Sequence, residues 1–196
     1  MLALSCLDML VELDEGGTFT WILSSRGYLK FAIDSLLEAD RHLVALLTTN
    51  IKSLRPLYVY ESKMALLCRL ASTPSGAELL LEHSTLACLS ALHVFNKHPE
   101  IVNHMASGSM EAEFVPTVSS RYLQILSPAL SLCDTIISSL GVTHQAAVAQ
   151  VLKFVLSNGE MVTLVLRSGS PFHQLCYLKE LALLTGVIAR ATNEGR

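Results

Sequence analysis

Apolar residues recur along almost the whole chain with the period of an α-helix, and no other feature constrains the fold as tightly. The clearest run starts at Tyr122 and continues through Leu126, Ala129, Leu130, Cys133, Ile136, Ile137 and Leu140. Its offsets of 0, 4, 7, 8, 11, 14, 15 and 18 place these residues on one helix face. Gly141 then supplies a stop. The pattern returns in Ala147, Val148, Val151, Leu152, Val155 and Leu156, ending at Asn158-Gly159, and again in Leu175, Leu178, Leu181, Ala182, Thr185, Ile188 and Ala189. No segment shows the sustained alternation of a strand, so the chain is predicted to be all-α.

Proline and glycine fall at the edges of these patterns. Thr73-Pro74 and Ser170-Pro171 each read as an N-cap followed by proline at the first helical position, where the missing N–H costs nothing. Pro128 sits inside the strongest stripe and predicts a kink or a break between two helices. The periodicity gives about eleven or twelve helices, near 2–13, 18–25, 28–38, 40–51, 57–72, 74–82, 85–96, 117–140, 143–157, 159–167 and 171–190. Short loops make sequential helices antiparallel neighbours, and a pair spans about forty residues, the size of a HEAT or armadillo unit. The helix from Leu57 to Ala71 carries one stripe of Tyr60, Met64, Leu67 and Ala71 and a second flank of Leu66 and Leu70, as a helix with neighbours on two sides requires. The expected fold is therefore an α-solenoid of stacked antiparallel helices, HEAT/armadillo-like, with helical repeats over 1–96 and 118–196. Residues 97–117, KHPEIVNHMASGSMEAEFVPT, are predicted to form a flexible surface loop that could dock a partner. A compact helical bundle is the alternative arrangement of the same helices.

Composition says what must cover this fold. The chain is 51% hydrophobic and only 16% charged, against about 25% charged in an ordinary soluble domain. More chain, a partner or a membrane must shield the remainder. A membrane span is not expected: even Thr135 to Leu152, free of Lys, Arg, Asp and Glu, contains Ser138, Ser139, His144, Gln145 and Gln150. The apolar N-terminus has no basic region and holds Asp8, which disfavours a secretory signal. Its periodicity runs from Leu2 to Leu13 without a capping residue, as in a fragment of a longer superhelix. The net charge of −3 is dispersed, so the electrostatic footprint of a nucleic-acid binder is missing. Cys6, Cys68, Cys88, Cys133 and Cys176 show no CxxC spacing and lie in apolar patterns, which suits buried reduced thiols.

No nucleophile elbow, HExxH, phosphate loop or dinucleotide-binding motif is present. His83, Cys88, His93 and His98 recur every five residues. On a helix that spacing turns successive members by roughly 140°, so they cannot converge on one metal ion. Asp8, Glu12, Asp14 and Glu15 lack the ligand order of a calcium loop and read as a solvated helix end before the Gly16-Gly17 turn. Trp21, Tyr28, Tyr58 and Tyr60 could anchor a partner helix, although inter-helix packing is the commoner role. No catalytic, cofactor-binding or metal residue is assigned, and no cofactor is expected.

The string Ser25-Arg26-Gly27-Tyr28-Leu29, followed by Ile33-Asp34-Ser35-Leu36, opens a family resemblance. It continues in Ala71-Ser72-Thr73-Pro74-Ser75-Gly76-Ala77-Glu78-Leu79-Leu80 and is strongest in Arg121-Tyr122-Leu123-Gln124-Ile125-Leu126 with Pro128-Ala129-Leu130 and Leu132-Cys133-Asp134. Lys179-Glu180-Leu181-Ala182-Leu183-Leu184-Thr185-Gly186 closes it. Over nearly its whole length the chain resembles the C-terminal part of the very large inner-ring scaffold nucleoporins, α-solenoid adaptor subunits of the nuclear pore complex. The resemblance implies a non-enzymatic scaffold at the nuclear envelope that holds helical segments of linker nucleoporins and supports nucleocytoplasmic transport. It implies no individual binding residue.

The expected mechanism is burial of a partner's apolar stripe in a groove between helices, with other nucleoporins as partners and no direct nucleic-acid contact. End helices that expose faces meant for neighbours also predict self-association. Two rivals are a HEAT or armadillo adaptor from another pathway and a helical enzyme with an unfamiliar site. Converging polar groups in a pocket would favour the enzyme, and a shallow groove lined by Leu, Val and Tyr the scaffold.

Overall fold

A computed structural model of the chain describes residues 2–99, 115–167 and 175–192, and the regular structure among them is helical throughout, with no strand. The helices are α1 (Leu2–Glu12), α2 (Thr18–Ser25), α3 (Tyr28–Ala45), α4 (Arg55–Ala71), α5 (Pro74–Glu82) and α6 (Thr85–Ser90). A 3-10 turn follows at His93–Asn96, then α7 (Val118–Leu140), α8 (Gln145–Ser157), α9 (Gly159–Arg167) and α10 (Leu175–Thr192). Most of the expected loop over 97–117 and the Ser170-Pro171 cap lie outside the described residues.

Local chemistry accounts for several boundaries. Thr73 caps α5, its hydroxyl accepting from the Gly76 N–H at 3.2 Å, and Thr117 caps α7 by accepting from Ser120 N–H at 3.1 Å. Gly141 ends α7 at φ 85°, a region that side chains other than glycine's disfavour.

The helices stack in one direction. α1, α4, α7 and α10 form a row in which each packs on the next, and α3, α6 and α8 form a second row behind it. The row members begin at Leu2, Arg55, Val118 and Leu175. Among the described residues the helix pairs with substantial packing lie within one unit or in consecutive units, so the all-α fold is a solenoid, as the periodicity predicts. The repeating unit differs from the expected helix pair of about forty residues. It contains three helices and spans 53–63 residues, because each unit adds one short helix, α2, α5 or α9, that belongs to neither row. One continuous apolar core, from Leu23 to Ala191, runs through all units.

Two further expectations are corrected and one choice is decided. The helices expected at 28–38 and 40–51 are one helix, α3, ending at Ala45. Asp40, where the second of the two was expected to begin, is buried and faces inward. The helix expected over 85–96 breaks at Leu92, which is extended. There the Asp40 carboxylate accepts from the N–H groups of His93 and Val94, both at 3.1 Å, and caps the new turn. Of the kink or break expected at Pro128, the break does not occur, and α7 runs through the proline as the single helix expected over 117–140. Proline removes the bond to the Gln124 carbonyl, but α4 holds the helix on either side of that defect. The Tyr60 hydroxyl donates to Ile125 O at 2.9 Å, and the Cys68 thiol donates to Pro128 O at 3.8 Å.

By length and composition alone α7 could cross a membrane. Its central place in the row, between α4 and α10, accounts for that apolarity.

Candidate partner-binding surface

The sequence-selected residues go to separate places. His83 Nε2 lies 3.4 Å from Ser24 Oγ, the Cys88 thiol donates to Ile33 O at 3.3 Å, and His93 Nδ1 lies 2.9 Å from Asp40 Oδ2. His98 is buried with its ring edge-on to Tyr122, the centroids 4.9 Å apart, and burial pushes its pKa down to about 4. Among the described residues no three His, Cys, Asp or Glu side chains are grouped to hold a metal ion.

The acidic group has assignable structural roles. Asp8 and Glu12 pair with Arg69 at 3.5 and 3.3 Å, tying α1 to α4. Asp14 accepts from the Phe19 N–H at 2.6 Å at the start of α2. Glu15 borders a polar cleft beside the Gly16-Gly17 turn. Cys133 and Cys88 are buried and Cys68 is half-buried. Desolvation raises all three thiol pKa values, that of Cys88 to about 11 and that of Cys68 to about 12, so none is a ready thiolate nucleophile. Cys6 is exposed, contrary to its expected burial.

Arg121 was not selected from the sequence as a special residue, yet it is 1% exposed. Its guanidinium donates to Leu46 O at 2.6 Å and Thr48 O at 3.1 Å. These carbonyls lie just past the C-terminal end of α3, where a cation is favoured. The arrangement staples the third unit back to the first, and only the run Arg121-Tyr122-Leu123-Gln124 within the resemblance hinted at it.

The aromatic candidates divide. Tyr60 is internal, bonded to α7, whereas Trp21, Tyr28 and Tyr58 are exposed. Tyr28 borders an open groove of about 550 Å³ between α1, α2 and α3, with α4 beneath. Leu4 and Leu7 form one wall, Phe19 and Ile22 close an end, and Leu29 and Leu66 line the interior. Phe31, 71% exposed, stands with Tyr28, 60% exposed, as a pair of projecting rings. Lys63 is the single charged residue of this lining, and its ammonium donates to Ser35 Oγ at 2.6 Å and Ser35 O at 3.4 Å. Burial lowers the Lys63 pKa while Glu38 pulls it back up.

The described residues form a scaffold of stacked helices that presents an apolar groove rimmed by exposed aromatics. The chain's sequence matches the family described as nuclear pore complex scaffold, nucleoporins 186/192/205, over residues 1–192. It is 41% identical to nuclear pore complex protein Nup205 of Drosophila melanogaster over 98% of the chain, and 41% identical to nuclear pore complex protein Nup205 of Homo sapiens over 100% of it. The chain belongs to this family of nuclear pore scaffold nucleoporins. It spans 9% and 10% of the length of those two relatives.

Proposed function

We propose that this chain is a non-enzymatic segment of a nuclear pore complex inner-ring scaffold subunit. It works at the nuclear envelope by holding helical segments of linker nucleoporins, and through them it supports nucleocytoplasmic transport. The carrying observation is the groove between α1 and α3, apolar across nearly its whole lining and rimmed by Tyr28 and Phe31. Aromatic side chains dominate binding hot spots, and an amphipathic helix fits such a groove through residues spaced three and four apart. Family membership supports nucleoporin partners over those of another pathway. The dispersed net charge of −3 supports protein rather than nucleic-acid contacts. In this reading residues 1–96 and 118–196 are one continuous solenoid segment joined by a loop at 97–117, and the segment lies in the C-terminal part of the scaffold subunit.

The test is a pull-down from nuclear-envelope extract, with partners identified by mass spectrometry. The wild-type chain is expected to recover inner-ring nucleoporins, and the Tyr28→Ser/Phe31→Ser double variant to lose them, since both rings are exposed and dispensable for the core. Recovery of no inner-ring nucleoporin by a folded wild-type chain would overturn the proposal.

A further inference from the structure

Lys63 is out of keeping with the groove it lines. The other lining residues are apolar apart from Ser35 and the Tyr28 hydroxyl, and Lys63 rises from α4 beneath them. An ammonium has three donors. Both acceptors that Lys63 reaches belong to the neutral Ser35. No ion pair joins it to a carboxylate among the described residues; Glu38 acts on it only through its field. A helix that covered the groove with purely apolar surface would strip the remaining water from this cation and leave it without a counter-charge, which is costly. A carboxylate on that helix would remove the penalty, so the groove discriminates between otherwise similar apolar helices.

We propose that the groove between α1 and α3 selects, from a partner chain, an amphipathic helix bearing one Asp or Glu within its apolar stripe, and that Lys63 is the residue that reads this carboxylate. This rests on the groove reading above. Tyr28 and Phe31 then supply the affinity common to all helices, and Lys63 supplies the choice among them.

The experiment selects displayed amphipathic helices of about 20 residues, roughly 30 Å long, on the folded 196-residue chain. Counter-selection on the Tyr28→Ser/Phe31→Ser variant keeps only groove-dependent binders. Those binders are expected to carry Asp or Glu inside the stripe, and changing it to the amide should weaken binding about tenfold, the scale of a charge-assisted hydrogen bond. With Lys63→Met, whose fold is checked by circular dichroism, the acid and amide peptides should bind alike, and Lys63→Arg should keep the preference. Groove-dependent binders without an acid, or an acid preference that survives Lys63→Met, would overturn the role of Lys63 and leave the groove standing. Failure to select any groove-dependent helix would overturn the groove itself.

Discussion

Gly76 sets two physical effects of opposite sign against each other. It lies in the first turn of α5, where glycine is intrinsically poor, and alanine should gain about 1 kcal/mol of helix propensity. The tertiary structure reverses that expectation. A Cβ at Gly76 would lie 2.1 Å from Leu70 O, 2.9 Å from Leu70 C and 2.9 Å from Thr73 Oγ1. Carbon–oxygen contacts normally begin near about 3.3 Å, so the α4–α5 corner would have to open by roughly 1 Å. The obstructing carbonyl is backbone and cannot swing aside. It also accepts from Thr73 N–H at 3.3 Å and Thr73 Oγ1 at 3.2 Å, so opening the corner strains the cap of α5 as well. Overpacking of this kind costs about 1–3 kcal/mol and a lost cap about 1 kcal/mol more. After the propensity gain, Gly76→Ala should destabilise the chain by roughly 1–3 kcal/mol, which for a chain of this size lowers Tm by about 2–12 °C. The control is Gly186→Ala in α10, where nothing lies within 4 Å of the added methyl. Propensity alone acts there, and a gain of up to about 1 kcal/mol is expected. Thermal melts followed by circular dichroism compare the two variants. A Gly76→Ala chain as stable as wild type, or more so, would refute the close-approach argument.

Two further outcomes follow from buried polar groups. The pKa of His98 is about 4 in the fold against an ordinary 6.5, so the unfolded chain binds the extra proton; His98 contributes stability above pH 6.5 that is lost as pH falls toward 4. The loss should approach about 3 kcal/mol, and in urea titrations from pH 7 to 4.5 a His98→Gln chain should show a shallower decline than wild type. Arg121→Met should cost roughly 3 kcal/mol in the same urea titration at pH 7, since it removes charge-assisted bonds to Leu46 O and Thr48 O; a change below about 0.5 kcal/mol, the level of an ordinary surface substitution, would contradict its role as a staple.

The sequence alone determined the helical class, the stripe of α7, the Thr73 cap with its proline, the stop at Gly141 and the family resemblance. The resemblance comes from the order of strings along the whole chain, and the other features depend on side chains a few residues apart, where period and propensity act directly. Tertiary structure decided whatever depends on where the chain returns. Asp40 caps a turn 53 residues later, Arg121 serves carbonyls 73 and 75 residues earlier, and α4 carries α7 across Pro128. The stacking unit of three helices, and the isolation of Lys63 in an apolar groove, arise the same way. A charged residue reads locally as surface or boundary, and only the packing around it shows whether it caps, staples or waits for a counter-charge.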